Sequence, residues 1–318
     1  MTIRIAFQMD ALSRLYKPLD STLELARVVA EQGHDLFHYE PAQIRMNVTD
    51  GGVRITALGH RLVYTKGADD PWSLGEQSLQ NLSDFDVILM RQDPPFDMAY
   101  ITATHMLELL KGKTRVINDP VGVRNAPEKL LITHVPHLMP PTLITRDRAA
   151  IEEFRAKYKD IIIKPLHGFA GHGIFHLREG DDNLPGLLET MGSMNNEPWM
   201  VQKYLPVTTL GDKRIVMLDG EPVGIFRCMP ASGDVRGNMR VGGRAEKAPM
   251  TARDRMICET LKPILRERGL FLCGLDVIGD YLTEINVTSP TGLIVADQLE
   301  GRTGNDRIAE QFWRWVLT

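Results

Sequence analysis

Apolar runs short enough for strands alternate with helical patterns through the first third of the chain. Leu23, Ala26 and Val29 fall on one face of a helix predicted over residues 21–32. The same pattern predicts a second helix over 99–111, and strands over 4–9, 35–39, 86–90 and 114–118. Strands separated by helices indicate a parallel α/β sheet. The polar, irregular segment 49–75 is expected to lie outside that sheet.

The pattern changes near Asn125, where hairpins and long loops replace the alternation. Asp147 and Thr251 are predicted to begin helices, and turns are predicted at Asp219-Gly220 and Gly279-Asp280. The other elements predicted here are strands over 160–165, 213–218, 221–227, 270–278 and 281–286, and an amphipathic helix over 306–317. The apolar side of that last helix is available for an interface. We expect an N-terminal α/β domain over 1–124 and a second region over 125–318.

Composition narrows the class of protein. Hydrophobic residues form 43% and charged residues 25% of the 318 residues, as in folded globular proteins. A net charge of −4 gives no general attraction to nucleic acids or acidic membranes. There is no apolar run of about 18 residues, no signal-peptide pattern, and only three scattered cysteines. We expect a cytoplasmic protein without a nucleic-acid or membrane partner.

A lysine and a glycine-rich loop in IIIKPLHGFAGHGIF favour phosphate binding. Lys164 ends a strand, and Gly168, Gly171 and Gly173 follow it. Glycines let the backbone approach a phosphate and direct its N–H groups toward the oxygen atoms. An ordinary tight turn is the alternative.

Two other cofactor classes are less compatible with the sequence. A Rossmann site needs a glycine-rich turn after its first strand, and DALSRLYKPLD after Met9 contains no glycine. His167, His172 and His176 are either metal ligands or, as we favour, ordinary loop residues.

The segment GLDVIGDYLTEINVTSPTG carries a candidate metal site. Glu284 and Asn286 lie two residues apart on a strand and share a face, and Asp276 lies on the partner strand. Oxygen ligands of this kind suit Mg²⁺ that is also held by substrate phosphates. An exposed cross-strand pair between Asp276 and Glu284 is the alternative.

Two loops are candidates for substrate contact. PASGDVRGNMRVGG carries Arg236 and Arg240, which is typical of a lid over a phosphorylated intermediate or of a solvated surface loop. LMRQDPPFD ends a buried strand in Arg91 and Asp93. Open parallel sheets bind ligands at such strand ends, and a rigid exit turn is the alternative.

The chain resembles the bacterial glutathione synthetases of the ATP-grasp superfamily from Met9 to about Gly292. The motifs that carry the resemblance, in the family's order, are RQDPPFD, NAPEKL, IIIKPLHGFAGHGIF, VQKYLP, GDKRIV, DGEPVG, RGNMRVGGR and GLDVIGDYLTEINVTSPT. It implies an ATP-grasp fold after an N-terminal parallel α/β domain, with a central lid subdomain over 125–203 and a catalytic subdomain over 204–318. It also implies ligation of γ-glutamylcysteine to glycine with ATP and Mg²⁺, for which Mn²⁺ can substitute, in an enzyme that forms homo-oligomers.

The resemblance further implies a role for individual residues. Those implied for ATP are Lys129, Lys164, Gly168, Gly171, Gly173, Gln202, Tyr204 and Leu205. Those implied for Mg²⁺ are Asp276, Glu284 and Asn286, and those implied for the peptide are Arg91, Thr288 and Ser289. Arg214 would stabilise the transferring phosphoryl group, and Arg236 would belong to the lid.

The sequence departs from the family pattern on the peptide side. The family usually has an arginine two residues before the proline of its lid loop, where this chain has Cys228. Arg227 is the candidate replacement, although a shift of one residue on a strand turns a side chain to the other face. Ala170 stands where the family commonly has glycine, and residues 293–306 depart from the family pattern. A ligase with a related substrate, or an ATP-binding paralogue without turnover, are therefore the alternatives.

The chemistry agrees with these parts. A carboxylate reacts with an amine only after its oxygen becomes a good leaving group, as in an acyl phosphate. That step needs charge neutralisation and exclusion of water more than it needs an enzyme nucleophile.

Overall fold

Three β-sheets and the helices that pack on them form the protein. The computed structural model describes residues 2–234, 236–237, 239 and 242–318. The first sheet contains β1 Arg4–Gln8, β2 Asp35–Tyr39, β3 Ile44–Thr49, β4 Gly52–Tyr64, β5 Trp72–Asn81, β6 Val87–Met90 and β7 Arg115–Ile117. The second contains β8 Thr142–Thr145, β9 Ile161–Pro165, β10 Phe175–Leu177 and β11 Trp199–Lys203. The third contains β12 Asp212–Leu218, β13 Glu221–Met229, β14 Arg244–Lys247, β15 Leu272–Ile278 and β16 Tyr281–Asn286. The helices are α1 Ser21–Glu31, α2 Met98–Glu108, α3 Pro120–Arg124, α4 Arg148–Tyr158, α5 Leu184–Met194, α6 Val207–Leu210, α7 Ala252–Glu267, α8 Leu293–Glu300 and α9 Ile308–Val316.

The first sheet has the strand order β3-β4-β2-β1-β6-β7, with β5 also paired to β4. Its strands β2, β1, β6 and β7 are parallel, which confirms the predicted parallel α/β core. β6 is buried along its whole length, as expected for a parallel strand whose two faces are both covered.

The expectation that residues 49–75 leave the sheet is wrong. β4 and β5 occupy most of this segment and, with β3, extend the parallel core by antiparallel strands. Residues 45–54 and 73–77 are exposed, so no apolar alternation marks them as strands. Backbone hydrogen bonds hold this part of the sheet, and the pattern of hydrophobic residues does not predict such bonds.

The second and third sheets are antiparallel. Their strand orders are β10-β9-β11-β8 and β14-β13-β12-β15-β16. Both predicted hairpins are confirmed, as β12–β13 and β15–β16. Asp219 and Gly220 at the first turn have φ values of 45° and 75°, the left-handed conformation that a two-residue hairpin turn requires.

Helix ends follow the capping residues, but four helices were not predicted, the short α3 and α6 and the longer α5 and α8. Asp147 accepts a hydrogen bond from the Ala149 N–H, and Thr251 forms a capping box with Asp254. α5 contains a proline and two glycines, and α8 is an apolar run without a clear period, so neither carries a helix signal.

Two sets of hydrogen bonds join the N-terminal part of the chain to its C-terminal part. The Asn118 side-chain amide donates to the carbonyls of Leu272 at 2.9 Å and Val287 at 2.8 Å, which ties β7 to the third sheet. On α9, Trp313 is buried and its indole N–H donates to the Leu25 carbonyl of α1 at 2.7 Å. The apolar face of α9 therefore packs inside the chain, contrary to the expectation that it is available for an interface. Within the described ranges, no helix is both long and apolar enough to cross a membrane.

Candidate active site

A cavity of about 690 Å³ lies where the second and third sheets face the N-terminal domain. Its walls are strands of both sheets, part of the glycine-rich loop, residues 14–16, 19 and 20, and residues 93–94. It lies beside the exit of β6, where an open parallel sheet binds ligands.

Charged and polar groups from three adjacent strands meet in this cavity. Arg214 on β12 and Asp276 on β15 are directly opposite, with Arg214 Nε 2.6 Å from Asp276 Oδ1 and Nη2 3.2 Å from Oδ2. Glu284 on β16 is opposite Asp276, and Asn286 donates its amide N–H to Asp276 Oδ2 at 3.1 Å. Opposite residues on neighbouring strands share a face, which is why these groups come together.

Two buried lysines lie on the other side of this group. Lys129 donates to Glu284 Oε1 at 3.0 Å and to the Gly168 carbonyl at 2.5 Å. Burial lowers the pKa of Lys164 to about 8, although the carboxylate of Glu284 acts to raise it. Burial would raise the pKa of Glu284, but the ammonium groups of Lys129 and Lys164 bring it below its ordinary value. The arrangement favours a negatively charged ligand between the lysines and Arg214.

Asp212 is a further acidic group in the cavity, and the sequence prediction missed it. Its Oδ1 is buried and has no hydrogen-bond partner among the described residues. Burial and the nearby charge of Asp276 raise the pKa of Asp212 well above its ordinary value. The available signal was the alternation of β12, which puts Asp212 and Arg214 on one face. Lys213 lies on the opposite face and pairs with Asp254.

The oxygen atoms of Asp276, Glu284 and Asn286 fit a small divalent cation. Such cations prefer oxygen ligands, and two carboxylates with one amide leave positions for phosphate oxygens and water. In the part of the chain that the structure describes, no group of three or more His, Cys, Asp or Glu residues could hold a metal. The histidines of the glycine-rich loop are not part of such a group either, and the His167 ring stacks on Phe96.

Three of the residues implied for ATP lie at the other end of the cavity. Gln202, Tyr204 and Leu205 line it together with isoleucines of β9 and β15. Gln202 Nε2 donates to the Thr142 hydroxyl at 3.0 Å, which fixes the amide orientation. The Tyr204 ring stacks on His176, with ring centroids 4.0 Å apart. This end offers flat and apolar surfaces suited to a planar heterocycle.

The glycines of the loop have different surroundings. Gly171 lines the cavity, whereas Gly168 and Gly173 pack against Pro165, where a Cβ atom would approach the ring to 2.5 Å and 3.2 Å. Ala170 has a φ of 53°, in the left-handed region that favours glycine. This conformation accounts for the glycine that the family commonly has at this position.

Arg236 brings the arginine loop into contact with the glycine-rich loop. A Cβ atom on Gly171 would lie 3.0 Å from Arg236 Cδ, and Arg236 lines the cavity. Its guanidinium pairs with Asp234, with Nη2 2.7 Å from Oδ2. Arg240 lies outside the described residues.

The residues implied for the peptide are only partly at the cavity surface. Thr288 and Ser289 line it, whereas Arg91 is buried behind them. Arg91 donates to the Pro290 carbonyl at 2.8 Å and to the Thr22 hydroxyl at 3.1 Å. Burial lowers the pKa of Arg91. Its contact is with the segment after Ser289, so any effect on substrate passes through that segment.

Arg227 does not lie at the peptide site, contrary to the expectation from the sequence. Phe226 and Cys228 of β13 line the cavity, and the residue between them faces the other side of the sheet. There Arg227 pairs with Glu246 on β14, at 3.0 Å. Strand alternation therefore separates the arginine from the cavity and places the Cys228 thiol in it. Burial raises the pKa of Cys228 to about 12, so the group is an uncharged thiol.

Replacing Arg227 with methionine is expected to leave kcat and every KM within about twofold, because a partly exposed ion pair contributes little. Cys228→Leu is the contrasting variant. Its larger side chain would occupy part of the cavity, so the KM of at least one substrate should rise. Steady-state kinetics of both variants checks this. A selective rise of the peptide KM in Arg227→Met would restore Arg227 to the site.

Comparison with known proteins identifies the family. The model of the prokaryotic glutathione synthetase N-terminal domain matches residues 3–124, and that of the prokaryotic glutathione synthetase ATP-grasp domain matches residues 128–301. The glutathione synthetase of Brucella melitensis is 48% identical over 313 residues, which cover 98% of each chain. That of Mesorhizobium japonicum is 50% identical over 313 residues, covering 98% of this chain and 97% of the relative.

Solved structures with low sequence identity share the fold. D-cycloserine synthetase DcsG superposes with a TM-score of 0.68 at 15% identity, over 99% of this chain and 100% of that chain. The ATP-grasp ligase PsnB, complexed with a minimal precursor, has a TM-score of 0.63 at 16% identity, over 99% and 98% of the two chains. The fold and the site define an ATP-grasp ligase, a class that uses ATP and a divalent metal ion.

The chain belongs to the prokaryotic glutathione synthetase family. It is an ATP-dependent ligase that forms a peptide bond.

Proposed function

We propose that the protein makes glutathione by joining γ-glutamylcysteine to glycine, with ATP, Mg²⁺ and an acyl-phosphate intermediate. The observation that carries the proposal is the meeting of Lys129, Lys164 and Arg214 with Asp276 and Glu284 in one cavity. That cavity continues from the flat, apolar end at Tyr204 to the polar segment at Ser289. It therefore has room for a nucleotide and an acyl donor in line.

In the first step the γ-phosphoryl group of ATP passes to the cysteinyl carboxylate, and ADP leaves. Lys129, Lys164 and Arg214 neutralise the negative charge on the phosphates, which is the main requirement of such a transfer. Asp276, Glu284 and Asn286 would hold Mg²⁺, which when bound supplies further neutralisation and orients the phosphates. Asp212, whose Oδ1 has no hydrogen-bond partner among the described residues, is positioned to form a hydrogen bond with the nucleotide.

In the second step the glycine amine attacks the acyl carbon, the peptide bond forms, and phosphate departs with the bonding electrons. The departing phosphate takes up the proton that the amine loses. The glycine-rich loop and Arg236 would cover the intermediate and exclude water, which would otherwise hydrolyse it. Thr288, Ser289 and, through Pro290, Arg91 would form the peptide side of the site.

Organisation and setting belong to the same proposal. We place the domain division after residue 124, with the lid subdomain over 125–203 and the catalytic subdomain over 204–318. The three scattered cysteines support a cytoplasmic enzyme, the net charge of −4 argues against a nucleic-acid partner, and the family resemblance supports a homo-oligomer. Mn²⁺ is expected to replace Mg²⁺ in activity, because the atoms that would bind the metal are all carboxylate or amide oxygens.

One observation favours a related substrate as the second candidate. Cys228 lines the cavity at the position where the family usually has an arginine, so one positive charge is missing near the ligands. An acceptor amine without a carboxylate, or a different acyl donor, would tolerate that loss.

Phosphate release with stepwise omission of substrates tests the two candidates. The proposed function predicts release only when ATP, Mg²⁺, γ-glutamylcysteine and glycine are all present, with glutathione detected by mass spectrometry. Release with γ-glutamylcysteine and another amine, but not with glycine, would favour the second candidate. ATP binding without release for any pair would refute both.

The low pKa of Lys164 predicts a pH-dependent affinity for ATP. Only the protonated lysine neutralises phosphate, and its pKa is lowered to about 8, so this charge is present below pH 8 and lost above it. The Kd of ATP should therefore rise about tenfold between pH 7 and pH 9. Calorimetric titration measures this, and Lys164→Arg should flatten the profile because arginine stays charged. An equal slope in both proteins would assign the titration to another group.

A further inference from the structure

The segment Val287–Pro290 follows β16 without regular secondary structure, yet it carries the side chains that face the peptide end of the cavity. Val287 and Thr288 are buried, and Thr288 and Ser289 line the cavity. A segment of this kind needs bonds from elsewhere in the fold to keep one conformation, because no ladder of backbone hydrogen bonds fixes it.

One side of the segment is held by Glu128. A single carboxylate oxygen, Oε1, accepts hydrogen bonds from the Val287 N–H at 2.9 Å, the Thr288 N–H at 3.2 Å and the Thr288 hydroxyl at 2.9 Å. The Glu128 backbone carbonyl accepts from the Ile285 N–H at 3.1 Å. Three hydrogen bonds converge on this one oxygen atom, so Glu128 fixes two consecutive peptide units.

The other side of the segment is held from the N-terminal domain. Arg91 donates to the Pro290 carbonyl at 2.8 Å, and the Ser21 hydroxyl oxygen accepts from the N–H groups of Gly292 at 3.2 Å and Leu293 at 3.4 Å. The segment is therefore bonded at both ends, and its central residue Ser289 lies between the two sets of bonds.

The two hydroxyl groups of the segment differ in their hydrogen bonding. That of Thr288 donates to Glu128. That of Ser289 has no hydrogen-bond partner among the described residues and belongs to the cavity wall. Lys129, the neighbour of Glu128, donates to Glu284 at 3.0 Å. Residues 128 and 129 thus connect the peptide segment and the metal carboxylate through adjacent side chains.

We propose that Glu128 is a positioning residue for the peptide donor: it holds Val287 and Thr288 so that Ser289 contacts the substrate. The Thr288 hydroxyl then serves to bind Glu128 and not the substrate. The proposal deepens the proposed function and rests on it for the identity of the donor. The positioning role does not depend on a change in the protonation of Glu128. It requires only a side-chain oxygen atom that accepts the three hydrogen bonds.

The test compares Glu128→Ala with Glu128→Gln, which keeps a side-chain oxygen for the three donors. In Glu128→Ala the KM of γ-glutamylcysteine should rise about 10- to 100-fold, while the Kd of ATP changes less than about twofold. Glu128→Gln should recover most of the loss. Glu152→Ala, an exposed position on α4, controls for the loss of a carboxylate and should match the wild type.

A double-variant cycle separates positioning from direct contact. If Thr288 acts through Glu128, Glu128→Ala combined with Thr288→Val should be no worse than Glu128→Ala alone. Fold-effects that multiply would overturn this part, because Thr288 would then contact the substrate itself. Equal changes in the peptide KM and the ATP Kd, or no change in Glu128→Ala, would overturn the positioning role.

Amide hydrogen exchange gives a readout that does not depend on turnover. The Val287 and Thr288 amides should exchange at least about tenfold faster in Glu128→Ala than in the wild type, since they lose their acceptor. Unchanged exchange would refute the proposal even if kinetics changed. A wild-type enzyme that makes no glutathione would refute the proposed function instead, and the exchange comparison would still decide whether Glu128 holds the segment.

Discussion

Replacing Glu284 with glutamine is expected to lower kcat for ADP formation by about 10²- to 10³-fold without unfolding the protein. Glu284 is opposite Asp276 on the neighbouring strand and accepts a hydrogen bond from Lys129 at 3.0 Å. Glutamine keeps the shape and an acceptor oxygen for Lys129 but removes the negative charge that a divalent cation needs. The apparent Mg²⁺ requirement should rise accordingly, as measured by initial rates at increasing Mg²⁺ concentration.

A matched control is available on the same sheet. Glu246 on β14 pairs with Arg227 on the face away from the cavity, so Glu246→Gln should retain wild-type kinetics and Mg²⁺ dependence. If Glu284→Gln retained turnover at low Mg²⁺, the assignment of Glu284 to the metal would be wrong. Loss of the melting transition in Glu284→Gln alone would indicate a structural role instead.

Arg214→Met is expected to damage both catalysis and stability. Arg214 holds both oxygens of Asp276, at 2.6 Å and 3.2 Å, and lies close to the buried carboxyl of Asp212. Its removal leaves Asp276 without a cationic partner, which should lower the free energy of unfolding by about 3 kcal/mol. The transferring phosphoryl group also loses a counter-charge, so kcat should fall by about 10²-fold or more.

Urea unfolding and single-turnover kinetics separate the two effects. Arg227→Met serves as the control, because its partly exposed pair with Glu246 should contribute less than about 1 kcal/mol. Arg214→Lys should recover part of the stability, since it restores a charge, but less of the rate, since one ammonium cannot make both bonds. Wild-type stability in Arg214→Met would contradict a net stabilising Arg214–Asp276 pair.

The hairpin that carries Asp276, Glu284 and Asn286 was predictable because its evidence is local. Alternation puts Glu284 and Asn286 on one face, and the turn at Gly279-Asp280 sets the register with Asp276. The parallel core was predictable for the same reason, since β1, β2 and β6 each show their burial in their own sequence. The strands β4 and β5 were not, because exposed antiparallel strands lack an apolar period.

Site residues that act across long sequence distances were harder to assign. Asp212 and Glu128 both line the cavity. Each lies within two residues of a basic residue with a more evident role in phosphate binding, Arg214 and Lys129 respectively. Glu128 meets Thr288 across 160 positions, a pairing that neither periodicity nor spacing records. Arg227 illustrates the opposite case: it lies next to the position where the family usually has an arginine, but alternation on β13 turns its side chain away from the cavity.

The sequence by itself determined the class of the fold, the family and the local geometry of the phosphate and metal motifs. Those properties depend on residue order within single strands, turns and loops, where spacing sets direction. Only the tertiary structure decided that Cys228 faces the cavity with Arg227 behind the sheet, that Arg91 acts through Pro290, and that α9 is buried against α1. Each depends on which element packs against which face, and that is set by the summed burial of the whole chain rather than by any local pattern.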